Sequence, residues 1–212
     1  MSPRIADPKT RQRLIETAAR VLAEEGTAAL TARRLARELG TSTTAVYTHF
    51  GGMTELRREI RREGFARLAE HLAGAPRSDD PVTELTNLGT GYCVNAFLNP
   101  HLYRTMLLEA PLDPEDAATG LDTYERLVAA VERCIAEGRF PRCPDAATGA
   151  AQIWAMTHGF VSLALVNMVE LGEVEGLMKG MALALFSGYG DSRAAIERSL
   201  DAAAPPPVTA SG

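Results

Sequence analysis

The chain has 212 residues, with 22 Lys+Arg against 27 Asp+Glu and a net charge of -5. That length allows one large domain or a small domain fused to a larger one, and 46% hydrophobic with 23% charged residues excludes a disordered chain. Ala occurs 34 times and Leu 24 times, against 11 Val and 6 Ile, so an all-β fold is excluded and an all-α fold is expected.

Charge divides the chain unevenly. Residues 1–73 carry 13 Lys+Arg and 9 Asp+Glu, a net of +4, while the remainder carries -9. A basic N-terminal module on an acidic body suggests an anionic partner for the first part only, and nucleic acid is the commonest such partner.

The first helix is expected from Pro8 or Thr10 to Glu25, with Asp7 as N-cap, Pro8 at the first helical position and Gly26 as the stop. Thr31 caps a short helix over Ala32–Leu39, which Gly40 breaks. Ser42 caps another short helix, in which Ala45, Val46 and Phe50 are apolar and Gly51-Gly52 closes the end. Two short helices joined by a tight Gly-containing turn make a helix-turn-helix pattern. The remaining surface of the second one is Thr43, Thr44, Tyr47 and Thr48, with His49 beside them. Short hydroxyl side chains bury poorly but suit phosphates and base edges in a major groove. An ordinary helical hairpin is the alternative on spacing alone.

The stretch LTARRLARELGTSTTAVYTHF, Leu30 to Phe50, resembles the N-terminal DNA-binding domain of TetR-type transcriptional regulators. Gly26, Leu30-Thr31, Leu35-Ala36, Gly40, Ser42, Tyr47 and His49-Phe50 fall in register, and the resemblance covers about the first 60 residues. It implies that Thr31 meets a phosphate and that Arg33 reaches toward the groove. Ser42, Thr43, Thr44 and Ala45 would then point at base edges, with Tyr47, Thr48 and His49 on the DNA backbone. Two departures stand out. The family's usual Lys at the entry to the fourth helix is Met53, for which Arg57 or Arg58 could substitute. The recognition helix also carries no Arg, Lys, Asn or Gln, so bidentate base reading falls mainly to Arg33.

A long helix is expected from Thr54 to Leu72, with Leu56, Ile60, Phe65, Leu68 and Leu72 on one face. Its arginines interleave with Glu55, Glu59 and Glu63 as a solvated, ion-paired face. Residues 74–82 read as a loop, followed by helices at 82–98, 100–109, 119–138, 145–171 and 174–189. The Ala- and Pro-rich tail from Asp201 reads as disordered. The division expected is residues 1–53 as the DNA-binding domain, 54–200 as a helical ligand-binding and dimerisation domain, and 201–212 as the tail.

Gly176, Gly180, Ala184 and Gly188 recur every four residues, a ridge of small side chains on one of two consecutive apolar helices. A homodimer through those last two main helices would cover them. Trp154, His158 and Gly159 resemble the Trp-His-Gly trio of one TetR subgroup. On family grounds a small-molecule cavity is expected in the body, with Tyr92, Cys93, Phe97, Tyr103, Met106, Trp154 and His158 as candidate lining residues; plain core is the alternative for each.

Cys93, Cys134 and Cys143 make no disulfide framework, and the four histidines are too scattered to suggest a metal site. Ala151–Val169 has nearly the length of a membrane span but contains Gln152, His158 and Asn167, so burial is preferred. No secretion signal is evident, which fits the cytoplasm. The expectation is therefore a repressor without cofactor, bound to a double-stranded, inverted-repeat operator and released by an unknown small-molecule effector. An enzyme using the pocket, or a ligand-independent DNA binder, is the alternative.

Overall fold

In a computed structural model, residues 7–204 are described, and every regular element among them is helical. The helices are α1 (Pro8–Glu25), α2 (Ala32–Leu39), α3 (Thr43–Phe50), α4 (Met53–Ala73), α5 (Pro81–Leu98), α6 (Pro100–Leu108), α7 (Pro114–Ala118), α8 (Leu121–Ala136), α9 (Ala146–Leu165), α10 (Leu171–Gly188) and α11 (Arg193–Ala202). They form two compact units. One comprises residues up to Arg67 together with Asn99–Gly120; the other comprises Leu68–Leu98 and residues from Leu121 onward.

The first unit starts where its caps dictate. The Asp7 carboxylate accepts from the backbone N–H groups of Lys9 and Thr10, both at 3.2 Å, satisfying donors that a helix start leaves open. Leu14, Ile15, Ala18, Val21 and Leu22 of α1 then bury one stripe against Leu35 of α2, Val46 and Phe50 of α3, Leu56 and Ile60 of α4 and Leu102 of α6. Ion pairs fasten the rim: Arg34 of α2 binds Glu25 at 2.7 Å, and Arg67 of α4 binds Glu16 at 2.8 Å.

In the second unit, α5 packs on α8, α9 and α11, and α10 packs on α9 and α11. Its core centres on Phe140, whose ring lies 5.0 Å from Phe186 and 5.2 Å from Tyr189, with Val82, Leu85, Val131, Ile153, Ile196 and Leu200 around it. Cys93, Cys134 and Cys143 are buried free thiols, and burial pushes Cys93 and Cys134 up to about 12.

Two expectations need correction, and one helix is additional. The helix expected over 119–138 is α8, and the short α7 precedes it, set apart by Gly120, whose φ of 89° leaves the helical region. The helix expected to reach 171 ends at Leu165, and Asn167 takes a left-handed φ of 57° before α10 begins. Asp201 and Ala202, expected to open the tail, instead end α11, which the Ser192 side chain caps by accepting from the Ala195 N–H. Residues 205–212 of that tail lie outside the described residues. No helix among those described is long and apolar enough to cross a membrane.

Candidate nucleic-acid interface

Each half of the helix-turn-helix is set by its ends. Thr31 has extended backbone, and its Oγ1 accepts from the Arg34 N–H at 3.2 Å, which starts α2. Gly40 sits in the left-handed region at φ 63°, where other residues meet a steric penalty, and Thr41 N–H bonds back to Ala36 O at 2.9 Å. That closes α2 within three residues of α3. Ser42 occupies the N-cap position of α3 with extended backbone, but its side chain makes no capping hydrogen bond. Gly51, at φ 74°, ends the helix.

The eight residues of α3 divide cleanly. Val46 and Phe50 are buried in the core, and the Arg11 guanidinium lies 5.5 Å from the Phe50 ring centroid. Thr43, Thr44, Tyr47 and Thr48 are exposed on the other side, Tyr47 by 55%. Thr31, Arg33 and Ser42 are exposed as well, while Ala45 and His49 are half-buried at the margin. The exposed side of α3 is therefore a set of short hydroxyl side chains around one open tyrosine ring.

Met53 is half-buried and packs against the core of this unit. The arginines expected to compensate for it are engaged elsewhere. Arg58 holds Glu55 at 3.0 Å and also Asp113, and Arg57 lies 3.8 Å from Glu109. The solvated ion-pair face expected on α4 is thus partly a set of bonds to the 99–120 segment, in which Arg61 also donates to the Glu109 carbonyl at 3.3 Å.

The seven effector candidates fall in both units. Tyr92, Cys93, Phe97, Trp154 and His158 belong to the second unit, whereas Tyr103 and Met106 are buried in the first. Within the second unit, Trp154 Nε1 donates to the Tyr92 hydroxyl at 3.3 Å, which lies 3.1 Å from His158 Nδ1. Ser162 Oγ is 3.5 Å from His158 Nε2, and the Cys93 thiol faces Met178 Sδ at 3.7 Å. Burial holds His158 below the usual imidazole range. Sequence reasoning missed Tyr124, whose ring packs edge-on against Trp154 at 5.9 Å; its place on the inner stripe of α8 with Leu127 and Val131 was the available signal. It also missed an open hollow of about 490 Å³ whose lining includes Glu70, His71, Asn87, Thr90 and Val94, and none of the seven candidates. The Asn87 amide builds its walls by donating to Pro76 O and accepting from the Ala204 N–H, both at 2.9 Å.

Comparison with known proteins adds independent findings. Residues 14–60 match the family model of bacterial regulatory proteins of the tetR family, and residues 85–176 match that of the tetracyclin repressor-like C-terminal domain. An uncharacterized HTH-type transcriptional regulator of Mycobacterium tuberculosis is 27% identical over 185 residues, covering 84% of this chain and 81% of that protein. Among solved structures, the TetR family transcriptional regulator PfmR of Thermus thermophilus is 25% identical with a TM-score of 0.71, covering 83% of this chain and 98% of its own. A regulatory protein in the tetR family from Rhodococcus RHA1 shares the fold, with a TM-score of 0.73 at 21% identity, over 88% of this chain and 100% of its own.

Proposed function

We propose that this chain, which belongs to the tetR family of bacterial regulatory proteins and is a DNA-binding transcriptional regulator rather than an enzyme, works as a dimeric repressor that a small-molecule effector releases from an inverted-repeat operator. The observation that carries this reading is the exposed, hydroxyl-rich face of α3 behind a capped α2. Two copies would set their α3 helices in successive major grooves about 34–36 Å apart. Thr31 and the first-turn amides of α2 would hold a phosphate. Arg33 would read a base, and Ser42, Thr43, Thr44 and Ala45 would contact base edges, thymine methyl groups included. Tyr47, Thr48 and His49 would position the backbone.

The dimer would form through α9 and α10. Leu163, Val166, Leu177 and Met181 are each more than 40% exposed there, and Gly176, Gly180, Ala184 and Gly188 lie exposed along α10. The Trp-His-Gly subgroup assignment rests on Trp154, His158 and Gly159 alone. Effector release would require different affinities for the operator-fitting and non-fitting conformations. The acidic body favours a cationic or neutral effector. The mutual hydrogen bonds of Tyr92, Trp154 and His158 favour a second reading of these three as plain core, in which the regulator needs no effector there.

Selection of bound duplexes from a random pool at near-physiological salt tests the proposal. Enrichment of an inverted repeat is expected; folded protein that enriches nothing overturns it. On the selected duplex, Arg33→Ala should cost about 1–3 kcal/mol and relax specificity at one position, whereas Thr31→Ala should weaken all sequences alike.

A further inference from the structure

The basic side chains of the first helices are mostly neutralised by their own chain. Residues 7–73 contain twelve Lys and Arg. Arg11, Arg20, Arg34, Arg57, Arg58, Arg62 and Arg67 each lie within 4.0 Å of a carboxylate, and Arg61 is bound to the Glu109 carbonyl and lies over the Phe65 ring. Lys9 shares the start of α1 with Asp7. Among the described residues, Arg13, Arg33 and Arg37 are left without a carboxylate in reach, and all three are exposed.

Two of the three form a pair. Arg33 and Arg37 are four residues apart on α2 and share the face turned away from Ala32, Leu35 and Ala36, which are buried. Like charges at that spacing repel and weaken a helix. Their neighbour Arg34 shows the ordinary solution, holding Glu25 and Glu38 at 2.7 and 3.1 Å. Helical side chains also lean toward the helix N-terminus, so Arg37 projects back over the turn that carries Arg33. Four residues rise about 6 Å, a distance an extended arginine spans.

We infer that Arg37 is a phosphate-binding side chain of the reading unit, holding the DNA backbone while Arg33 takes the base. This rests on the operator-binding reading above. The planar guanidinium fork matches phosphate oxygens, and the phosphate relieves the repulsion between the two arginines. Arg37 carries no sequence information; it contributes to affinity on every duplex.

The test is fluorescence anisotropy of the full chain on the selected operator and on an unrelated duplex, from roughly 50 to 200 mM salt. Arg37→Ala should weaken both duplexes by the same factor. The slope of log K against log salt should become shallower by about 0.9 for each phosphate no longer neutralised, and Arg37 occurs twice in a dimer. Arg37→Lys should recover much of the slope, because the charge remains. Arg13→Ala, on α1, should leave the slope unchanged. If Arg37→Ala lowers the melting temperature but keeps the slope, Arg37 serves only the C-terminal end of α2, and the inference falls while the operator reading stands. If the wild-type chain binds no duplex, both fall.

Discussion

Tyr92 links Trp154 and His158 in the second unit, its hydroxyl accepting from Trp154 Nε1 at 3.3 Å and lying 3.1 Å from His158 Nδ1. That arrangement suits a neutral imidazole whose Nδ1 accepts and whose Nε2 faces Ser162. Burial depresses the His158 pKa below its ordinary 6.5, so the folded chain resists a proton that the unfolded chain accepts. Stability from this group is complete above about pH 6.5 and declines as pH falls below that, toward the lowered folded value. Glu16 and Glu84, held low by neighbouring arginines, lose their contributions in a separate window below the carboxylate range. His158→Gln should therefore flatten the part of the stability profile that declines below pH 6.5, measured as urea midpoints. Parallel profiles for wild type and variant would refute the assignment.

At the scale of elements, legibility followed the chemistry of helix ends. Asp7-Pro8, Thr31, Gly40 and Gly51 announce their boundaries because each residue type has a specific reason to sit there, and the structure uses each accordingly. The α9–α10 break was hidden because the run is apolar on both sides and its left-handed residue is Asn167 rather than a glycine. The start of α11 was legible in principle, since Asp191-Ser192 precedes Ile196 and Leu200, but the surrounding Ala and Pro masked that period. The arginine bonds from α4 to the 99–120 segment were not legible, because sequence shows i, i+4 pairs and not partners fifty residues away. Arg139 is another such case. It holds Asp191 at 2.6 Å and Ser199 Oγ at 3.0 Å and also pairs with Asp80, joining the start of α5, the turn after α8 and the turn before α11. The Asp191 side chain is only 6% exposed, so Arg139→Met would strand a charge that water cannot reach. A loss of about 2–3 kcal/mol is expected in denaturant unfolding, and Asp191→Asn made in the same background should recover part of it. A cost under about 0.5 kcal/mol, the range of ordinary surface changes, would show that the cluster holds nothing together.

For the whole molecule, the small residues of α10 pose a question that one chain does not answer. A Cβ placed on Gly176, Gly180 or Gly188 would meet nothing within 4 Å, so no neighbour within the chain requires glycine there. Each costs roughly 1 kcal/mol of helix stability relative to alanine, and they lie on one exposed face beside Leu177 and Met181. A second copy, as proposed above, would supply the missing reason, because small residues let another helix approach closely and bury the apolar flank. In a two-fold dimer the same patch serves both copies, so one substitution acts twice. Gly180→Glu should leave the helical content of the chain intact while light scattering reports a monomer at micromolar protein. Operator affinity should then collapse toward that of a single half-site, since the two reading heads no longer raise each other's effective concentration. Gly180→Ala, which keeps the ridge small, should remain dimeric and bind as wild type. A Gly180→Glu chain that stays dimeric would move the interface off α10, and the glycines would then need a different explanation.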